Sequence, residues 1–121
     1  MCRDRREEAA PGERGSATLF AVSCLAALMV LGAALGVVAA MVHAHRLAQS
    51  AADLAALSAA TALAHGRDPC TAGSGIAAAN GARLTSCEVV GRDAVVRVEV
   101  TGPRWLGQRG DLEAQARAGP A

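Results

Sequence analysis

The stretch Ser16–Val42 reads SATLFAVSCLAALMVLGAALGVVAAMV, 27 consecutive residues without a charge. A helix of this length is about 40 Å long, whereas the hydrocarbon layer of a bilayer is about 30 Å thick. Each Leu, Val or Phe favours insertion by about 0.3 to 0.6 kcal/mol, and no central charge imposes the opposing cost of about 2.5 to 3.5 kcal/mol. The stretch therefore predicts a tilted transmembrane helix.

A secretory signal peptide is the alternative reading of this stretch. Its apolar region is typically about 7 to 15 residues, which is shorter than the run found here. Release by signal peptidase after Ala44 remains an alternative, and it would leave a small secreted disulfide protein. Residues 21–24 loosely resemble a lipoprotein cleavage box, but most of the apolar residues follow Cys24, which we interpret as an ordinary membrane residue.

Arginine residues predict the orientation of the span. Only one arginine lies in the twenty residues after it, whereas four precede it: Arg3, Arg5, Arg6 and Arg14. The positive-inside rule then places the N-terminus in the cytoplasm and the C-terminal part outside the cell membrane, as a single-pass protein. We expect four segments: a cytoplasmic Arg-rich leader (1–15), a transmembrane helix (16–42), its extracytoplasmic continuation (43–66) and a small disulfide-closed α+β domain (67–121).

Small residues recur along one face of the predicted span at Gly32, Gly36 and Ala40. This spacing lets a second membrane helix approach closely, and it predicts a helix-packing site. The alternative is chance, because the chain is rich in Gly and Ala throughout.

The C-terminal half predicts an α+β fold. Residues 43–65 lack Pro and Gly, so the long helix should continue to Gly66, and Asp68-Pro69 should start a short second helix that ends near Asn80-Gly81. From there the pattern alternates with period two, which predicts a three-stranded antiparallel meander with strands at 84–90, 94–100 and 111–118, the first two joined by residues 91–93. A sheet this small is marginal alone, so the outer part of the long helix should cover its apolar face.

Cys70 and Cys87 both fall on the predicted outer side, one at the start of the second helix and one in the first strand. We predict a disulfide between them, because that compartment is oxidising; two free buried thiols are the alternative. Cys2 lies in the predicted cytoplasmic leader and should stay reduced.

Composition argues against several functional classes. The 121-residue chain has a formal net charge of +1, so it has no field that attracts nucleic acid. Its two aromatic residues, Phe20 and Trp105, provide neither a base-stacking platform nor a ligand pocket. The sequence shows no catalytic constellation or metal-ligand spacing, and His43 and His45 point to different sides of a helix. We expect no enzyme activity, cofactor, metal or small-molecule substrate.

Two segments carry a family resemblance. Residues 13–18 read ERGSAT, and residues 46–57, after the apolar run, read RLAQSAADLAAL. Together they resemble the TadE/TadG-like proteins of Flp-type (Tad) pilus and secretion systems. The outer part, with Cys70, Cys87 and AAANGARL at residues 77–84, is similar to a short actinobacterial branch of that family.

The resemblance implies a pilin-like plan, in which a basic leader precedes a long helix and a small outer domain. It implies possible cleavage between Gly15 and Ser16 by a prepilin-type peptidase, and partners among other pilus or secretion-system membrane proteins. Pilin-like subunits usually carry Glu at the fifth position after the cut, whereas this chain has Phe20. A new amino terminus would then lack its carboxylate partner in a filament, which favours a minor pseudopilin or assembly component over a major pilin.

Overall fold

The computed structural model describes residues 11–102 and 111–120, without the side chains of residues 11–14. Cys2, the first three arginines and Trp105 lie outside the described residues. By its internal contacts the chain divides into two units, which meet between Gly36 and Val37. The elements confirm the predicted α+β class: a long apolar helix, a short helix and a three-stranded antiparallel sheet.

The long helix, α1, comprises Pro11–Ala64. It therefore begins five residues before the start of the predicted span, with a proline whose fixed φ suits a first helical position. At its other end Gly66 has a φ of +70°, and the Arg67 amide donates to the Ala62 carbonyl at 2.8 Å. A glycine in this conformation is the common end of a helix.

The short helix, α2, comprises Pro69–Ala79. Asp68 is its N-cap, since its carboxylate accepts the backbone N–H of Cys70 at 3.1 Å. Asn80 is its C-cap, and Gly81 follows with a φ of +72°. The predicted second helix is confirmed together with the residues that start and end it.

The sheet contains β1 (Arg83–Val90), β2 (Asp93–Val100) and β3 (Leu112–Ala118), paired antiparallel in that order. The turn between β1 and β2 is shorter than predicted, because Asp93 pairs with Val90 inside the sheet. Gly91 has a φ of +64°, as expected in a two-residue hairpin turn. Asp93 also accepts a hydrogen bond from Nε of Arg117 on β3 at 2.7 Å, which ties the turn end of β2 to the next strand.

An irregularity in β1 was not predicted from the sequence. The register between β1 and β2 shifts between Leu84 and Ser86, which leaves Thr85 as an extra residue. The Thr85 hydroxyl donates to the Arg97 carbonyl of β2 at 3.2 Å. A bulge of this kind strengthens the local twist of a sheet.

The core of the second unit lies between α1, α2 and the sheet. Its largest fully buried side chains are Val96 and Val98 of β2. The C-terminal half of α1 packs into the same core as the sheet, and it does so with alanines: Ala48, Ala51, Ala52, Ala55, Ala56 and Ala59. The leucines of the same half, Leu47, Leu54 and Leu57, are exposed.

Candidate membrane-interaction site

The N-terminal part of α1 exposes large apolar side chains on every side. Their exposed fractions lie between 55% and 72% at Leu19, Phe20, Val22, Leu25, Leu28, Met29, Val30, Leu31 and Leu35. Residues Gly15–Ala64 contain a stretch long and apolar enough to cross a membrane, and none of that stretch is buried within the protein. Water-soluble proteins rarely expose a continuous apolar surface of this extent. The surface is suited to contact with lipid.

Ser23 in this stretch finds its hydrogen-bond partner inside the helix. The Ser23 hydroxyl donates to the Leu19 carbonyl one turn earlier at 2.8 Å. Backbone groups are paired by the helix itself, which is the requirement for any segment surrounded by hydrocarbon. Insertion of this stretch therefore leaves the Ser23 hydroxyl satisfied.

The small residues predicted to pack against another helix are all exposed. A Cβ added at Gly32 or at Gly36 would meet nothing within 4 Å. Ala40 is also exposed. The space required by a neighbouring helix is present at each position, and the packing itself stays a prediction.

Gly15 and Ser16, the predicted leader boundary, lie within α1, and both are exposed. Phe20 is exposed by 72% of its surface. Cleavage at this boundary stays a prediction.

The comparison with protein families concerns this helix. Residues 15–62 match the family model described as "Putative Flp pilus-assembly TadE/G-like". This segment is TadE/G-like. No curated protein and no solved structure matches the chain. The family resemblance is thereby confirmed, and it supports a membrane location and an association with the Flp/Tad pilus system.

The TadE/G-like segment covers nearly all of α1. It includes the apolar stretch exposed before Gly36 and, after Val37, the alanine face that packs on the sheet. The matched residues therefore include both the apolar surface suited to lipid and the alanines that belong to the core of the C-terminal unit. It ends two residues before the end of α1, so α2 and the sheet lie outside it.

A disulfide links the two elements that follow the TadE/G-like segment. Cys70 in the first turn of α2 is bonded to Cys87 in β1, with a Cα to Cα distance of 5.7 Å. Within the described residues Cys24 is the free cysteine, and it is exposed in the apolar stretch. The disulfide fixes the start of α2 against the sheet independently of apolar packing.

The Asp68 carboxylate, two residues before Cys70, accepts hydrogen bonds that stabilise its negative charge. The Thr71 hydroxyl donates to Asp68 Oδ2 at 2.6 Å, and the Cys70 amide donates to Oδ1. These hydrogen bonds, the one from Thr71 first, hold the pKa of the Asp68 carboxyl below its usual value. They stabilise the charged carboxylate as a helix cap, because the N-terminus of a helix favours negative charge.

The side chains of the described residues include a groove but no candidate metal centre. No group of three or more His, Cys, Asp or Glu side chains among them could hold a metal ion. A groove between α1 and α2 is lined mainly by apolar and hydroxyl side chains, including Leu54, Leu57, Thr61 and Ile76, with Arg67 as its charged residue. Such a surface recognises another apolar surface more readily than a polar small molecule.

Proposed function

We propose that this protein is a non-catalytic, pseudopilin-like component of a Flp/Tad-type pilus or secretion apparatus. The observation that carries the proposal is the coincidence of the TadE/G-like match at residues 15–62 with a helix whose first half exposes apolar side chains on all sides. The family match points to the Flp/Tad apparatus, and the exposed apolar surface of the helix would anchor the protein in the membrane.

In this proposal the helix spans the cell membrane once. The arginines before Ser16 keep the N-terminus in the cytoplasm, and α2 and the sheet lie outside the membrane. The Cys70–Cys87 disulfide supports this orientation, because disulfides persist in oxidising compartments and are rare in the cytosol.

The proposed partners are other membrane proteins of the same apparatus. Gly32, Gly36 and Ala40 would allow close approach of their helices within the bilayer, and the C-terminal domain would contact their outer domains. Phe20 at the fifth position after Gly15 favours a minor component, since a subunit without an acidic residue there leaves a buried amino terminus unpaired.

Affinity capture from native membranes tests the partner class. The full chain, tagged at its C-terminus and solubilised in mild detergent, should retain pilus or secretion-system proteins that mass spectrometry identifies. A double variant, Gly32→Ile with Gly36→Ile, should reduce that capture because the added side chains block close approach. Ala27→Ile with Ala34→Ile is the control, since it adds two branched side chains to the opposite face of the helix. Capture of proteins from unrelated machinery alone would contradict the proposal.

The mature N-terminus separates the remaining alternatives. Intact mass and N-terminal sequencing of protein from the native membrane should show a start at Met1 or, after leader cleavage, at Ser16. A start at His45 in the culture medium would support the secreted disulfide protein instead. That result would remove the membrane anchor and the proposed role with it.

A further inference from the structure

The turn that follows α2 contains a chemically reactive pair of residues, Asn80 and Gly81. Asn80 is the single asparagine among the 121 residues. The backbone nitrogen of the next residue can attack an asparagine side-chain amide, and glycine favours this attack because it has no side chain to obstruct the approach. Asparagine deamidation within this sequence is therefore confined to one pair of residues, at the end of α2.

The nucleophile of that reaction is engaged in a hydrogen bond. The Gly81 N–H donates to the Ala78 carbonyl at 3.1 Å, and the Ala82 N–H donates to the Ala77 carbonyl at 2.9 Å. With Gly81 at a φ of +72°, these two bonds form the Schellman motif that ends a helix. The Gly81 nitrogen must lose its proton before it attacks, so the bond to Ala78 opposes the reaction.

The backbone angle at Asn80 also keeps the reacting atoms apart. Ring closure needs the Gly81 nitrogen eclipsed with the Asn80 Cβ about the Cα–C bond, which tetrahedral geometry sets at a ψ of about −120°. In the folded chain ψ is 17°, so the reaction requires a rotation of roughly 140° at this bond. Such a rotation redirects the chain and breaks both bonds of the Schellman motif.

The side-chain amide and the residues beside the turn are fixed as well. Asn80 Nδ2 donates to the Ile76 carbonyl at 2.8 Å, and Asn80 is half-buried. Ala77 and Ala82, which flank the turn, both belong to the buried core. Opening of the turn therefore also disturbs apolar packing, and the folded domain resists it.

We propose that Asn80 is a deamidation site that the fold protects and that reacts only when this end of α2 opens. In the open segment the Gly81 nitrogen gives its proton to a base and bonds to Asn80 Cγ, the Cγ–Nδ2 bond breaks, and ammonia leaves. Water then opens the succinimide ring at either carbonyl carbon, which yields aspartate or isoaspartate. The net change converts one amide and one water into one carboxylate and one ammonium ion, without an oxidant or a reductant.

The product fits the folded turn less well than asparagine does. Loss of Nδ2 removes the side-chain donor to the Ile76 carbonyl. The new carboxylate lies at the C-terminal end of α2, where the helix dipole disfavours negative charge. Isoaspartate also adds a carbon to the backbone of the turn. A domain that has opened and reacted is thus converted irreversibly into a less stable form.

Peptide mapping of the full chain, incubated in detergent micelles at mildly alkaline pH, tests the proposal. Trypsin cleaves after Arg67 and Arg83 and releases the pair on one peptide, in which mass spectrometry detects deamidation. A synthetic peptide of residues 68–83 with a blocked thiol gives the rate of the open segment. Asn80 should react about tenfold or more slowly in the native chain, because the rate follows the population of the open state. Equal rates would overturn the proposal.

Variants of altered stability test whether opening of the domain controls the rate. Cys70→Ser with Cys87→Ser should raise the rate toward that of the peptide. Gly75→Ala should lower it several-fold below the native rate, because alanine favours a helix and its Cβ meets nothing within 4 Å. Leu57→Ala changes an exposed position and is the control, with the native rate expected. A rate that is the same in all of these chains would overturn the proposal.

The consequence of deamidation is measured on variants of Asn80. Asn80→Asp reproduces the charge of the product, and Asn80→Ala removes the side-chain donor without adding charge. Pulse proteolysis in urea should show a lower midpoint for Asn80→Asp than for either Asn80→Ala or the native chain. A midpoint for Asn80→Asp at or above the native value would overturn the destabilising effect. None of these results depends on the pilus role, because no partner protein is present.

Discussion

Gly73 of α2 lies directly against the backbone of α1 at Ala55. A Cβ added to Gly73 would stand 3.3 Å from the Ala55 carbonyl oxygen and 3.5 Å from the Cβ of Ala59. The two helices approach so closely because both present small residues at the crossing. Glycine inside a helix lowers its stability, and here the close approach of a second helix explains its presence.

Two glycines of α2 should respond differently to substitution. Gly75→Ala should stabilise the domain by up to about 1 kcal/mol, because alanine favours a helix and nothing lies within 4 Å of the added Cβ. Gly73→Ala should gain less or lose stability, and Gly73→Leu should lose about 1 to 3 kcal/mol through overpacking. Pulse proteolysis of the full chain in detergent micelles across a urea series measures both. Equal effects at the two positions would contradict the helix crossing.

On α1, a substitution at a small buried residue should affect stability more than a substitution at a large exposed one. Ala52 is fully buried in the core, so Ala52→Leu should destabilise the domain by about 1 to 3 kcal/mol. Leu57→Ala removes a larger side chain but changes an exposed position, so the stability should stay within about 0.5 kcal/mol. The same urea series measures both variants. A larger loss for Leu57→Ala would mean that the leucine face packs on the sheet.

Sequence reasoning predicted the elements of the C-terminal half well because their ends carry specific residues. Asp68 and Pro69 start α2, Gly81 follows its end, and Gly91 turns the chain between β1 and β2. Each of these residues has a local conformational preference that does not depend on the rest of the fold. The last residue of each strand was predicted correctly, and the first residue of each differs from the prediction by one position.

The packing face of α1 could not be predicted in the same way. Alanine and leucine are both apolar, so periodicity alone does not say which of them faces the sheet. The choice depends on how closely the helix can approach the branched side chains of Val96 and Val98, which is a property of the assembled core. The bulge at Thr85 likewise depends on pairing with Arg97, a distant residue in the chain.

Removal of the disulfide should weaken the C-terminal domain strongly. Cys70 and Cys87 are 17 positions apart, and opening a loop of about this size costs about 3 kcal/mol in the chain-entropy model. The double variant Cys70→Ser with Cys87→Ser should therefore unfold at a lower urea concentration, and reduction of the native chain should give a similar shift. Cys24→Ser is the control, because its thiol is free. An unchanged midpoint after loss of the disulfide would show that packing alone holds the domain.

Asp68 should make the domain less stable in acid. Its pKa is lower in the folded protein than in the unfolded chain, so its stabilising effect is fully present above the unfolded pKa. The effect is lost as the pH falls below the usual carboxyl value of about 4 and through the lower folded value. The stability advantage of the native chain over Asp68→Asn should shrink across that range. Thr71→Val removes the hydrogen bond that lowers the Asp68 pKa most, so this variant should lose less stability in acid than the native chain. An unaltered pH profile in Thr71→Val would contradict the role of this hydrogen bond.

Insertion of residues 16–42 into the bilayer as a helix is the claim on which the other functional inferences depend. Carbonate extraction of native membranes tests it directly, because high pH releases proteins held by surface contacts and leaves integral ones in the lipid pellet. The full chain should remain in the pellet and enter the supernatant only with detergent. Recovery of the intact chain in the supernatant without detergent would contradict the membrane anchor and with it the proposed place in a pilus apparatus.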